Sequence, residues 1–281
     1  MTWKLVSDSS SDLCTGQLKS TVADFEAVPL CLRVGEKEYW DTAELDIQEL
    51  LAAMAEEKSA SSTACPSPAA FARVFEKADR TICVTISANL SGTYNAAVLG
   101  REMVLEEHPE KKICIIDSKS TAGAEVLILR KARSLIEANP EIDFDELCDA
   151  LRVYQASLRT VFTLENFDNL VKNGRMRPLV GTLLHTLGIH VIAEATLQGT
   201  ISVCDKARGA VKTYQRMAQL MAERKDCEGA EVIIAHCNNL EGAARLKKQI
   251  MDTLPVKSVE LIPTRGLCSF YAMDQGLIVG F

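Results

Sequence analysis

Residues 81–105 constrain the fold of this chain more than any other stretch. Thr81-Ile82-Cys83-Val84-Thr85-Ile86 is short, apolar and β-branched, and reads as a buried strand. Asn95 to Leu105 reads as a helix, and Ser87-Ala88-Asn89-Leu90-Ser91-Gly92-Thr93-Tyr94 lies between the two. Ser91 or Thr93 can cap that helix, whose free first-turn amides then point outward. Gly92 lets the backbone approach a ligand closely. Such a turn suits an anion, because amides and helix dipole both favour negative charge. An ordinary capped helix with no ligand fits the segment as well.

The same pattern recurs along the first half. Trp3-Lys4-Leu5-Val6 reads as a strand leading into Ser7-Asp8-Ser9-Ser10-Ser11-Asp12, and Lys112–Ile116 as one leading into Asp117-Ser118-Lys119-Ser120-Thr121. Ala27–Val34 reads as one further strand, placed at an edge by Pro29, and it turns through Gly35-Glu36-Lys37 into Glu38–Asp41. Residues 27–42 thus form a hairpin-like excursion. Helices are expected over Asp46–Glu57, from Ser67-Pro68 onward, and over Ala122–Glu137 and Phe144–Ser157, with Ser59–Cys65 a polar loop. Alternating strand and helix implies an α/β fold with a largely parallel sheet. Ligands of such sheets bind outside the carboxyl ends of the strands. Asp8, Ser9, Ser87, Asp117 and Ser118, with Ser91 and Thr93, therefore describe one polar crevice.

The pattern changes near Ser157-Leu158. Thr160–Leu164 reads as a strand, Asn166–Lys172 as a short helix stopped at Asn173-Gly174, and Leu179–Leu187 as helical. His190–Ala193 and Thr200–Val203 read as strands joined through Gln198-Gly199. Helix Ala210–Arg224, strand Glu231–Ala235, helix Leu240–Leu254 and strand Ser258–Ile262 follow. This is a second α/β layer with a mixed or antiparallel sheet, so the chain divides into domains 1–157 and 158–281.

Composition narrows the function. Among 281 residues 47% are hydrophobic and 25% charged, which supports a sizeable core. A net charge of −7 without a basic run argues against nucleic acid. No apolar stretch approaches the ~20 residues a membrane helix needs, and the opening Met1-Thr2-Trp3-Lys4 leaves no room for a signal peptide. Transient contact with a membrane surface stays open. The ten cysteines contain no Cys-x-x-Cys pair and suit a reducing cytoplasm, not a disulfide frame or a zinc site. His108, His185, His190 and His236 lack metal-ligand spacing, so no metal or cofactor is expected. Phosphate-loop, dinucleotide and Gly-x-Ser-x-Gly motifs are absent. A small serine-type hydrolase would need a base for Ser91. His236 is the candidate, with nothing in the sequence to place it there.

The motifs, taken together and in order, resemble the DegV family of bacterial fatty-acid-binding proteins over nearly the whole chain. Val6–Leu13 is similar to the family's Asp-Ser-x-x-Asp opening, and Val28-Pro29-Leu30 and Asp41 to its early strand and loop. Thr63-Ala64-Cys65-Pro66-Ser67 resembles its Thr-Ser-x-Pro-Ser loop, with Ala64 for serine. Leu90-Ser91-Gly92-Thr93-Tyr94 matches its most specific motif. Ile116-Asp117-Ser118, Leu164-Glu165-Asn166, Asn173-Gly174-Arg175-Met176 and Lys206-Ala207-Arg208-Gly209 follow. The resemblance implies a fatty acid buried between two domains, Rossmann-like and mixed. Its carboxylate is held by Thr63 and Ser91, with Gly92, Thr93 and Tyr271 close by. It further implies a protein that is no enzyme itself but hands the carboxylate to a separate fatty acid kinase for acyl phosphate formation, a step in phospholipid metabolism. Arg208 and Arg175 are linked to that transfer. A lipid carrier or sensor without a kinase is the alternative. The chain departs from the family at Leu187–Val191, where Lys-Pro is usual, and at Phe270–Gly276, where Thr-His-x-Gly-Pro-Gly is usual. Tyr271 then takes the histidine's slot.

Overall fold

The computed structural model describes residues 2–57, 61–177 and 188–281. Its first sheet is wholly parallel. Strands β1 (Trp3–Asp8), β2 (Ala23–Val28), β6 (Arg80–Thr85) and β7 (Lys112–Asp117) lie in the order β2-β1-β6-β7. Alternate residues of each strand feed opposite faces, as the pleat requires. Leu5, Ile82, Val84, Cys114 and Ile116 pack against α4 (Gly123–Ala138) and α5 (Phe144–Ser157). Val6, Cys83, Ile113 and Ile115 pack against α2 (Pro68–Phe75) and α3 (Thr93–Glu107).

The run 27–34 is two strands, not one. The ladder between β1 and β2 stops at the pair Asp8 and Val28. Pro29 has no N–H to continue a ladder. Beyond it β3 (Cys31–Val34) joins a separate antiparallel sheet with β4 (Lys37–Trp40) and β5 (Ser62–Ala64), in the order β4-β3-β5. The segment 59–65, expected to be loop, thus contains a strand, and Thr63 pairs with Leu32. Helix α1 (Ile47–Glu56) is capped by the Asp46 carboxylate, which accepts the amides of Gln48 and Glu49.

The second sheet has the order β10-β9-β8-β13-β11-β12. It comprises β8 (Thr160–Thr163), β9 (Ile189–Ala195), β10 (Ile201–Arg208), β11 (Glu231–His236), β12 (Ser258–Pro263) and β13 (Leu277–Gly280). Only β11 and β12 run parallel, so the sheet is mixed. Helices α7 (Ala210–Arg224) and α8 (Leu240–Thr253) cover one face. The other face meets α6 (Asp168–Lys172) and α9 (Gly266–Ala272). The expected helix 179–187 lies outside the described residues.

Helix α4 joins the two sheets. Its first turns are buried all round, from Gly123 to Leu129, as expected of a helix with protein on every side. A Cβ on Gly123 would lie 2.9 Å from that of Ile233 on β11, and one on Gly280 would lie 2.5 Å from the Ala124 amide. These glycines let α4 lie against the second sheet while its far side packs on the first. The bidentate pair of Arg130 with Glu260 adds a polar tie at the rim.

Candidate functional site

Between the sheets lies a cavity of about 760 Å³, its mouth included. Ile86, Leu90 and Ser91 reach it from the end of β6, and Ser120 and Thr121 from the end of β7. Leu30 and Thr63 come from the small antiparallel sheet and its edge. Phe162, Ala195, Ile201 and Ile278 come from the second sheet, Leu170 and Arg175 from α6 and beyond, and Leu267, Cys268 and Tyr271 from α9. The walls are mostly aliphatic and aromatic, so the space suits a long apolar ligand.

Thr63, Ser91, Arg175 and Tyr271 bring polar groups to this cavity. The Thr63 and Tyr271 hydroxyls lie 3.0 Å apart. Ser91 Oγ lies 2.8 Å from Thr93 Oγ1. Arg175 Nε donates to the carbonyl of Leu90 at 3.2 Å, and a terminal nitrogen donates to the Asn173 carbonyl. Burial pushes the Tyr271 hydroxyl pKa up, against the Thr63 hydrogen bond and the Arg175 charge. Each hydroxyl pair has two protons and uses one between its members, so each keeps a donor in reserve. Arg175 is the one formally charged side chain among the described lining residues. An apolar cavity with hydroxyl donors and one guanidinium can hold a single carboxylate on a long hydrocarbon.

Gly92 is the N-cap of α3 at φ −70, and a Cβ there would meet only Cys65 Sγ at 3.4 Å. Neither conformation nor crowding requires a glycine, and Gly92 is not among the residues lining the cavity. No side chain makes the N-cap hydrogen bond of α3, contrary to the expectation for Ser91 or Thr93. Ser91 Oγ receives only a long contact, 3.4 Å, from the Thr93 amide. Thr93 is fully buried in the first turn and acts on the cavity only through Ser91.

The strand-end residues do converge, because β1, β6 and β7 are neighbours, but their side chains face inward to backbone. Asp8 accepts the amides of Ser10 and Ile86, both at 2.8 Å. Burial raises its carboxyl to about 6 against those bonds. Ser9 Oγ accepts the Leu30 amide at 3.1 Å. Ser87 Oγ donates to the Gly199 carbonyl at 2.6 Å, tying the first sheet to the β9–β10 turn. Asp117 accepts the amides of Ala88 and Lys119, and Ser118 bonds both backbone groups of Ser120. None of these five side chains lines the cavity. The Ser9–Ser11 turn lies just beneath it, with the Ser10 carbonyl accepting from Thr121 and Cys268.

Arg208 is exposed at the end of β10, the residue before the Gly209 N-cap of α7, and does not line the cavity. His236 also stays outside it. Its Nδ1 is buried without a partner, and burial holds its pKa below the ordinary value. A Ser91–His236 dyad is therefore not assembled. Among the described residues no His, Cys, Asp and Glu group could hold a metal, and no helix is long and apolar enough to cross a membrane.

Sequence reasoning missed α9 and its support. Asp41 receives the amides of Gly266 and Leu267 at 2.7 and 2.8 Å, and Asp12 receives that of Arg265 at 2.6 Å. A Cβ on Gly266 would lie 2.6 Å from Asp41 Oδ1, so the close approach requires glycine. The sequence signal for this support is the pair Arg265-Gly266, whose amides the Asp12 and Asp41 carboxylates accept. Ser120 and Thr160 also line the cavity and were not proposed as site residues.

The family model of DegV, described as "Uncharacterised protein, DegV family", matches residues 2–275. A DegV domain-containing protein of Streptococcus gordonii is 38% identical over 283 residues, covering 100% of this chain and 99% of the relative. The Streptococcus pneumoniae Fatty Acid Kinase (Fak) B3 protein, solved loaded with linoleic acid, superposes with a TM-score of 0.95 at 36% identity, over 100% of this chain and 99% of that one. A DegV family protein of Eubacterium eligens, loaded with heptadecanoic acid, gives 0.92 at 33% identity over 99% of both chains. Matched from end to end in sequence and in fold, this chain belongs to the DegV family.

Proposed function

We propose that this protein binds a long-chain fatty acid in the cavity between its sheets and presents the carboxylate to a separate fatty acid kinase. Ser91 and the spare donor of the Thr63–Tyr271 pair donate hydrogen bonds to the carboxylate, and Arg175 neutralises it. The observation that carries this reading is the pairing of apolar walls with the Thr63–Tyr271 hydroxyl pair, the Ser91 hydroxyl and the Arg175 guanidinium in one cavity. The relatives loaded with linoleic and heptadecanoic acid support it. In this reading the division at 157/158 separates two domains with the acyl chain between them, and the chain performs no chemistry itself. Arg175, first linked to phosphotransfer, is reassigned to the carboxylate because it lines the cavity. Arg208 keeps its assignment to the kinase, because its exposed position leaves it free to meet a partner. Mass spectrometry of the denatured, purified protein tests the reading. About one equivalent of fatty acid is expected, and protein without lipid that takes up none when offered it contradicts the reading.

A further inference from the structure

Helix α9 brings Leu267, Cys268, Tyr271 and Ala272 to the cavity, yet its own N-cap residue, Arg265, makes no side-chain capping bond. The cap comes from another part of the chain. Asp41 is buried directly after β4, and its two carboxylate oxygens accept the amides of Gly266 and Leu267 at 2.7 and 2.8 Å. In return the Arg265 guanidinium donates to the carbonyls of Thr42 at 2.6 Å and of Ala43 and Leu45 at 3.3 Å. Residues 41–45 and 265–267 thus clasp each other from both sides. Asp41 also adjoins the small antiparallel sheet that carries Thr63. Leu32 on β3 pairs with Thr63 on one side and with Tyr39 on the other, and Asp41 follows two residues after Tyr39. Tyr271 stands four residues beyond Leu267, about 6 Å of helix rise from the clasp. The 3.0 Å contact of Thr63 with Tyr271 closes the ring that the Asp41 bonds begin.

We infer that Asp41 is a positioning residue for the ligand carboxylate: it sets α9 on the small sheet so that Tyr271 meets Thr63. This rests on the fatty-acid reading above. Leu267 and Phe270 share an apolar cluster with Leu30, Leu32 and Tyr39, which holds α9 against the sheet without direction. Two hydrogen bonds to adjacent amides are directional and fix the height and rotation of the helix. A shift of α9 by about 1 Å takes the Thr63–Tyr271 contact beyond hydrogen-bond length, and the pair no longer offers its spare proton as one unit. Asp41 is not among the residues lining the cavity, so it acts through Tyr271 and not on the ligand. Ser91 reaches the cavity on the separate loop between β6 and α3 and does not depend on the clasp.

A double-substitution cycle tests this, with hexadecanoic acid titrated into delipidated protein. Asp41→Asn leaves one acceptor oxygen where there were two and sets an NH2 group against an amide N–H. It should weaken binding roughly three- to tenfold. In a Tyr271→Phe background it should add less than about twofold, because the hydroxyl it displaces is already gone. In a Ser91→Ala background it should multiply the loss in full. A merely structural role would give the same result in both backgrounds. Full multiplication with Tyr271→Phe, equal shrinkage in both backgrounds, or parental affinity in folded Asp41→Asn overturns the assignment while fatty-acid binding stands. If Asp41→Asn does not fold, Arg265→Met loosens the same clasp from its partly exposed side and carries the same cycle. A parent that takes up no hexadecanoic acid removes the fatty-acid reading and this assignment with it.

Discussion

Two polar regions of this protein use the same residue types and differ in what those residues bond. In the strand-end crevice Asp8, Ser9, Ser87, Asp117 and Ser118 hold backbone amides and carbonyls of neighbouring loops. In the cavity Thr63, Ser91 and Tyr271 bond other hydroxyls and keep donors in reserve. The first group is a frame and the second can read a ligand. Proximity to the strand ends is therefore not enough to make a site. A hydroxyl already engaged by fixed backbone has little left to offer a carboxylate.

The sharpest way to break this comparison is at Asp8. Asp8→Ala strands the buried amides of Ser10 and Ile86 and should cost roughly 2–5 kcal/mol of stability, read by denaturant unfolding. Lipid should be lost only as far as the protein unfolds. The effect also depends on pH. The carboxyl is raised from 3.8 to about 6, chiefly by burial. Its stabilisation is thus full below pH 3.8 and lost as pH rises through about 6. Between pH 4 and 7 the parent should lose roughly 2 kcal/mol from this group, and Asp8→Asn should flatten that slope. A slope that persists in Asp8→Asn assigns the titration elsewhere.

At Arg175 the opposite signature is expected. Arg175→Met should weaken fatty-acid binding by roughly 10- to 100-fold, the loss of a charge-assisted bond, with little change in the unfolding midpoint. A titration showing parental affinity would return Arg175 to the phosphotransfer role. Smaller losses, about 3- to 10-fold each, are expected for Ser91→Ala, Thr63→Val and Tyr271→Phe. Ser87→Ala, by contrast, should cost about 1 kcal/mol of stability by freeing the Gly199 carbonyl, with lipid content unchanged. The smallest effect on binding belongs to Arg208→Ala, which should alter only acyl phosphate formation in a reconstituted kinase assay. Turnover equal to the parent's would remove Arg208 from that step.

Strands β1, β6 and β7 of the parallel sheet were legible because each is a short, largely apolar run leading into a polar end, whereas β2, with Asp24 and Glu26 inside it, was caught only at Ala27 and Val28. Strand β13 and helix α9 were not legible, since Leu277–Gly280 and Gly266–Ala272 are too short for a period to show. The break at Pro29 was visible as an edge signal but not as a change of sheet, which depends on the distant partner Thr63. In the site, Thr63, Ser91 and Tyr271 could be named from motif resemblance. What separated frame from cavity could not, because the partners of Asp8 and Ser87 lie at Ile86 and Gly199, far along the chain. The reach of Arg175 to Leu90 is likewise a tertiary fact that the sequence does not carry.

The most direct test is a crystal structure of the protein with its fatty acid bound. The carboxylate should lie within hydrogen-bond distance of Thr63, Ser91, Tyr271 and Arg175, with the hydrocarbon between the sheets and the backbone bonds of Asp8, Ser87, Asp117 and Ser118 undisturbed. A carboxylate seated on Ser87, Asp117 or Ser118, or one that leaves Arg175 unpaired, would contradict the division between frame and ligand-reading groups.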